Sequence, residues 1–509
     1  MPADWQASAA LLTAPESLAL VLVGTLLGIV VGGIPGFTGA MLIALTLPLT
    51  FGMTGEQAMM LLVAMYVGSI SGGLVTATLL RMPGTPASIM TTLDGYPLAQ
   101  RGEAGRALGL GVCASFIGGL VSWGALVLLA GPIARWSTLL GPFEFFALVL
   151  LALVLIASVA GRSLTRGLFS GMLGILAAMP GSSPATGRPR LTFGMHELDD
   201  GFKLLPVLIG LFAVSQILWD ILAIDRPIER TAAAPRRVRI TLADWKQQAI
   251  NMLRSSAIGT IIGMLPGVGA NIGSMMAYAT AKSVSRTPEK FGEGSEEGIV
   301  ASEAANNATV GGALIPLIAL GIPGSVIDAI LLGALVIHGL QPGPLLFEQN
   351  PTAVHVIMGT MFIANLAMFA TMWFSVPWLT RLAAIPRAYL VPVVLTFCIV
   401  GSFALANRMF DVWVMLAFGL IGFGMERACI PTAPFVIGFV LAPVAEEHLY
   451  AGLMQSGGSW WPLVTRPMSL VLVVAAAGML TATLVRHARA ARREQESGSR
   501  KQESGEPGA

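Results

Sequence analysis

Uncharged runs of bilayer length recur along the whole chain, at 17–55, 57–80, 107–134, 167–187, 255–281, 304–327, 388–407 and 467–485. A membrane-crossing helix needs about 20 mostly apolar residues. Lipid cannot hydrogen-bond the backbone, so a crossing segment must satisfy its own polar groups. The pattern therefore predicts an all-α polytopic membrane protein. A large soluble core would not supply so many unbroken runs. Only 11% of the 509 residues are charged and mean hydropathy is +0.76, against about 25% charged residues in soluble domains. A net charge of +2 without a large basic stripe argues against nucleic acid. Cys113, Cys398 and Cys429 lie in apolar runs and read as small core residues, not as a disulfide or metal framework. The N-terminus lacks the basic region of a signal peptide, so the first apolar run is expected to be retained.

The runs are interrupted at particular places. Between Gly68 and Gly95 the sequence is dense in Gly, Pro, Ser and Thr, and Arg81 is followed by Pro83-Gly84. Proline removes a backbone donor and clashes with the preceding turn. A broken backbone inside a membrane is tolerated only where protein or a watery cavity surrounds it. Similar breaks occur at Pro35-Gly36, Pro266-Gly267 and Pro323-Gly324.

The breaks come in pairs. GTLLG at 24–28 returns as GTIIG at 259–263, and a Pro-Gly follows each. Gly72-Gly73 before Pro83-Gly84 returns as Gly311-Gly312 before Pro323-Gly324, and PVLIGLF at 206–212 resembles PFVIGFV at 434–440. Four blocks in one order predict a duplication. The segment 225–248 carries Arg226, Arg230, Arg236, Arg237 and Arg239, and the tail is basic too. Both are expected to be cytoplasmic. The lead before Ser17 has Asp4 and Glu16 but no basic residue, and is placed outside.

The first half then has an odd number of spans, and the second runs inverted, with a site expected between the halves. The predicted organisation is a lead at 1–16, repeat 1 at 17–224, a linker at 225–248 and repeat 2 at 249–466. An additional span at 467–485 and a disordered tail at 486–509 complete it. The broken helices are expected to form re-entrant hairpins. Further spans are expected near 144–161, 167–180 and 204–219, with polar loops at 94–106 and 181–203.

Breaks free carbonyl and amide groups at half-helix ends. Amide ends favour anions, and carbonyls with hydroxyls suit a small hard cation such as sodium. Around the first pair of breaks lie Thr38, Ser69, Ser71, Thr85, Ser88, Thr91 and Thr92. Around the second lie Asn271, Ser274, Asn306, Asn307, Thr309 and Ser325. Taken singly, each hydroxyl is well explained by bonding back to its own helix, and each glycine by close packing. Taken as a set they predict a substrate or ion site. Glu303 is either a cation or proton carrier, since intramembrane carboxylates are expensive, or an interfacial cap. Asp328 has the same two readings. Arg81 could pair with a substrate carboxylate through its planar fork or anchor the chain at the membrane surface. Asp94 reads as a loop or cap residue.

Enzymatic chemistry finds no support. His196-Glu197 lacks the second His of a zinc-protease motif, and no phosphate-binding Gly-x-x-x-x-Gly-Lys-Ser/Thr loop occurs.

Three long stretches carry a family resemblance: YVGSISGGLVTATLLRMPGTPASIMTTLDGYPLAQRGEAGRAL at 66–108, GMLPGVGANIGSMMAYATAKS at 263–283, and EAANNATVGGALIPLIALGIPGSVIDAILLGALVIHGLQPGP at 303–344. With TGRPRLTFG at 186–194 and RPMS at 466–469, the chain resembles the large membrane subunit of tripartite tricarboxylate transporters over about residues 15 to 485. The resemblance implies a secondary transporter importing a carboxylate delivered by a periplasmic binding protein. It also implies a small four-span membrane subunit, an inner bacterial membrane, and a sodium or proton gradient as driving force. An ion channel or passive anion pore is the alternative. The chain departs from the family pattern at Ser71-Gly72-Gly73-Leu74, where Tyr-Gly-Gly-Ser is common, and at Arg81, where asparagine is common.

Overall fold

The computed structural model describes residues 2–34, 37–82, 85–159, 163–222, 240–382, 387–404, 406–483 and 485. Pro35, Gly36, Pro83 and Gly84, most of the linker and all of the tail lie outside the described residues. The chain runs α1 (Pro2–Thr13), α2 (Pro15–Gly32), α3 (Gly39–Thr46), α4 (Gly55–Leu80), α5 (Ile89–Leu98), α6 (Ala104–Ser137), α7 (Pro142–Val159) and α8 (Leu164–Ala177). A two-residue ladder follows, β1 (Gly181–Ser182) with β2 (Pro189–Arg190). Then come α9 (Leu204–Leu208) and α10 (Ser215–Leu222), joined by a π turn. The second half holds α11 (Leu242–Met264), α12 (Gly269–Val284), α13 (Glu296–Leu320), α14 (Val326–Ile337), α15 (Pro344–Gln349) and α16 (Pro351–Leu382). It ends with α17 (Arg387–Ala404), α18 (Met409–Arg427), α19 (Thr432–Gln455), α20 (Pro462–Thr465) and an apolar helix α21 (Pro467–Thr483).

Among the described residues, seven helices are long and apolar enough to cross a membrane. Apart from the short ladder, the regular structure of the described residues is helical, as the uncharged runs predict.

Two compact units divide the chain. One comprises 1–139 and 202–425, the other 140–201 and 426–509. In the first, α4 and α13 are enclosed by protein along most of their length: every residue from Ala58 to Leu79 and from Gly298 to Ala319 is buried. Helices apolar all round belong in such positions. These two instead bury Ser, Thr, Asn and Glu among their apolar residues, which marks them as more than filling.

Small residues set how the neighbours approach. Gly28 and Gly32 of α2 face the backbone of α4 at Met65 and Ser69, with Gly24 one turn earlier facing Leu61. Contacts that advance together along both chains mean that α2 and α4 run parallel. The chain must double back between them, and α3 makes that return. In the second half Gly259 faces Ala305 and Gly263 faces Thr309, so α11 runs parallel to α13. Ser274 reaches Ser302 and Tyr278 packs at Gly298, so α12 returns antiparallel to α13. No residue larger than glycine fits where helix backbones meet this closely.

The second unit packs α7 and α8 with α19. Gly171 and Gly174 of α8 abut Gly438 and Phe435 of α19. Arg190 binds Glu446 through two nitrogens at 2.7 and 2.6 Å, fastening the 181–190 loop to α19.

Several expectations change in detail. The 94–106 segment is mainly helical: α5 continues to Leu98, and a π turn containing Gly102 at φ 84° leads into α6. The span expected near 167–180 is the later part of α8. It stops at Ala177, and Pro180 with Gly181 at φ 106° turns the chain into the ladder. Cys113 and Cys398 are buried as expected, but Cys429 is exposed, in a left-handed turn after α18. A turn between helices gives a small side chain nothing to pack against.

Candidate functional site

The site begins where α4 and α13 cross. Ser71 Oγ donates to Asn307 Oδ1 at 2.6 Å, and Asn307 Nδ2 donates back to the Glu303 carbonyl at 3.2 Å. All three residues are buried. The departure from the family pattern at Ser71 thus falls on a contact between the halves. Gly72 packs on Ile29 and Gly33 of α2, so the small residues after Ser71 are required by the hairpin.

Glu303 is fully buried in mid-helix, so it is not an interfacial cap. Thr91 Oγ1 of α5 donates to its Oε1 at 2.5 Å, and Ser115 Oγ of α6 donates to Oε2 at 3.3 Å. Thr91 also lies 3.0 Å from Ser302 Oγ. No cation is among these partners, so the carboxylate is held by neutral hydroxyls. Three elements converge because small residues admit them: Gly118 of α6 lies against the Ala304 backbone and Gly311 of α13 against Ser122. Next on α13, buried Asn306 has no hydrogen-bond partner for either amide atom. Thr309 Oγ1 bonds back to the Asn306 carbonyl at 2.6 Å, as packing alone would require. Thr92 likewise bonds back to Ile89.

The other residues fall at the helix breaks. Gly73 leaves room for Ser88 and Thr85, whose hydroxyls lie 2.8 Å apart, so the segment after the first-half break lies on α4. Thr38 caps α3 by accepting from Met41 N at 3.2 Å, and Ser69 packs against Gly39. Ser325 caps α14 and sits 3.3 Å from Tyr66 Oη. Pro323 and Gly324 are buried, and Gly324 packs on the Gly263 carbonyl. Pro266 is partly buried, and Gly267 turns the α11–α12 connection with φ 71°. Ser274 donates to the Ser302 carbonyl at 3.2 Å. Asn271 is exposed, outside the buried cluster.

Arg81 is not in the cluster either. It ends α4 as an exposed left-handed cap (φ 54°, ψ 22°), its guanidinium 5.7 Å from the Tyr96 ring centroid. Left-handed backbone costs most residues about 1–2 kcal/mol and suits glycine or asparagine. The asparagine common in the family is therefore explained by the cap. Arg81→Asn is expected to raise the unfolding midpoint, corresponding to roughly 1 kcal/mol or less, and to leave substrate uptake unchanged. A large loss of uptake would restore a substrate role for Arg81.

Asp94 does cap, but far from its own loop. Its Oδ1 accepts the N–H groups of Gly292, Gly294 and Ser295 at 2.8–2.9 Å, and its Oδ2 accepts the Tyr278 hydroxyl at 2.8 Å. Beside it Arg106 binds Asp244 and Glu296. The α5–α6 region is thereby tied to the starts of α11 and α13.

The site residues not named from sequence were Ser115, Ser302 and Tyr66. Ser115 and Tyr66 are ordinary in apolar runs, and Ser302 stands beside Glu303 in sequence without a mark of its own. Only their buried carboxylate or break-end partners, some 188 to 259 residues away, distinguish them.

Seven helices of membrane length, with a buried polar seam where two enclosed helices meet, are the features of a multi-pass transport protein. The chain belongs to the tripartite tricarboxylate transporter TctA family, whose model matches residues 18–437. It is 32% identical over 461 residues to an uncharacterised 52.8 kDa protein in the TAR-I ttuC' 3' region of Agrobacterium vitis, covering 90% of this chain and 91% of that one. It is also 33% identical over 215 residues to an uncharacterised protein in the TAR-II ttuC' 3' region of the same organism, covering 42% of this chain and 89% of the other. No solved structure matches.

Proposed function

We propose that the chain is the large permease subunit of a binding-protein-dependent secondary transporter. It imports a carboxylate, driven by a sodium or proton gradient, in a bacterial cytoplasmic membrane. A periplasmic solute-binding protein delivers the substrate, and a small four-span subunit completes the complex. The observation that carries this reading is the buried contact between Ser71 and Asn307, with Glu303 one turn away. A site at the crossing of one helix from each half is what alternating access requires, because rocking the halves exposes it to either side in turn.

Two inverted repeats, 17–224 and 249–466, fit this mechanism. The α2–α3 and α11–α12 hairpins occupy matching places as re-entrant elements, and each lies parallel then antiparallel to its central helix. The final helices support a swap between repeats. Helix α19 of the second packs on α7 and α8 of the first, while the π turn and α10 of the first pack on α17 and α18 of the second. Gly438 against Gly171 in one group matches Gly210 against Met415 and Gly419 in the other.

Uptake of labelled carboxylates into vesicles holding all three components tests the proposal. Gradient-dependent accumulation of one acid from a broad panel is expected. No accumulation of any acid, together with current in lipid bilayers without substrate, would replace the transporter with a passive pore.

A further inference from the structure

Asp328 is fully buried, and neither of its carboxylate oxygens has a hydrogen-bond partner. It occupies the third position of α14, where a side chain ordinarily accepts the N–H of the capping residue. Two other helices close that reciprocal pair, Thr54 with Gln57 and Thr241 with Asp244. At α14 only one half is made: Ser325 Oγ accepts the Asp328 N–H at 3.3 Å. An ionised carboxylate left so is costly in apolar surroundings unless something neutralises it.

The elements around it supply no positive charge. Helix α14 packs against α3, α4, α9 and α13. Helices α3 and α9 carry no ionisable residue, and α13 carries none from Ala304 to Leu320. Helix α4 contributes Tyr66, which is buried, with its Oη 3.3 Å from Ser325 Oγ. His338 stands at the opposite end of α14, bonded to Thr50. What remains near Asp328 is oxygen: two hydroxyls and the carboxylate itself.

We propose that Asp328, with the hydroxyls of Ser325 and Tyr66, forms a site for a monovalent cation, sodium or a proton, separate from Glu303. The position joins a break of the second half to α4 of the first, so the bound cation bears on both. Its role in coupling rests on the transport reading above; its capacity to bind a cation does not.

The purified full-length chain, without substrate, is unfolded thermally while sodium replaces choline at fixed ionic strength, and again across pH at fixed sodium. A bound cation stabilises the folded state by mass action. A midpoint that rises with sodium identifies sodium as the ligand; one indifferent to sodium that rises on acidification identifies the proton. In either case Asp328→Asn is expected to lose the response and to raise the midpoint in neutral, sodium-free buffer. Tyr66→Phe is expected to weaken the apparent sodium affinity about tenfold, or to shift the acid response, through loss of one polar partner. A wild-type chain that answers neither cation overturns the proposal, as does a folded Asp328→Asn chain that keeps the wild-type response. Should Asp328→Asn not fold, an unchanged response in both Ser325→Ala and Tyr66→Phe overturns it. Because no carboxylate is present, failure here leaves the uptake reading intact, and failure of uptake leaves this result intact.

Discussion

Glu303→Gln is expected to lower gradient-driven uptake by roughly ten- to a hundredfold while the chain still inserts and folds. Glutamine keeps the length of the side chain and an oxygen that can accept from Thr91 or Ser115. What it removes is the charge. A hydrogen bond to a charged group contributes roughly 1.5–3 kcal/mol, and Glu303 holds two such bonds with no cationic partner among them. A carboxylate kept this way, at the crossing of the two central helices, is suited to receive a cation or a proton during turnover. Initial uptake rates at several sodium concentrations and pH values are the measurement, with size-exclusion profiles confirming the fold. Asn307→Ala should act in the same direction by cutting the Ser71 link. Wild-type rates in both variants would remove this cluster from the mechanism.

Gly118→Val is expected to abolish the folded chain, a loss on the order of 4 kcal/mol or more. The side chain would run into the backbone of Ala304, the residue after Glu303. A backbone cannot rotate away as a side chain does, so α6 and α13 must separate. Separation would also break the Ser115 contact with Glu303. Gly131→Ala is the control. It lies on the same helix with nothing within 4 Å of the added carbon. There alanine should stabilise by about 0.5–1 kcal/mol, since glycine is costly within a helix. Equal melting of the two variants would mean that α6 does not pack on α13 as described.

Much was legible in the sequence for a simple reason. Lipid imposes length and polarity on each segment separately, so a span can be recognised without its neighbours. The interruption of the long run 17–55 was equally local, and α2 ends at Gly32 while α3 begins at Gly39. The family motifs are contiguous, and they lead to the same family as the match over residues 18–437. Reading went astray where a turn decides. The segment 94–106 reads as a polar loop, but α5 runs on to Leu98 and a π turn through Gly102 at φ 84° leads into α6. Arg81 carried two readings, a partner for a substrate carboxylate and an anchor at the membrane surface, and its left-handed backbone makes it an exposed cap.

The sequence by itself determined that this is a helical membrane protein of the tripartite tricarboxylate transporter type, with four Pro-Gly steps in its apolar runs. Those properties belong to single segments and their order. The tertiary structure decided which polar residues meet. Ser115 and Thr91 reach Glu303 across 188 and 212 residues of chain, and Tyr66 reaches Ser325 across 259. Hydroxyls in apolar helices look alike in sequence, because each can bond back to its own helix. A serine that packs and a serine that holds a carboxylate differ only in what the fold brings opposite them.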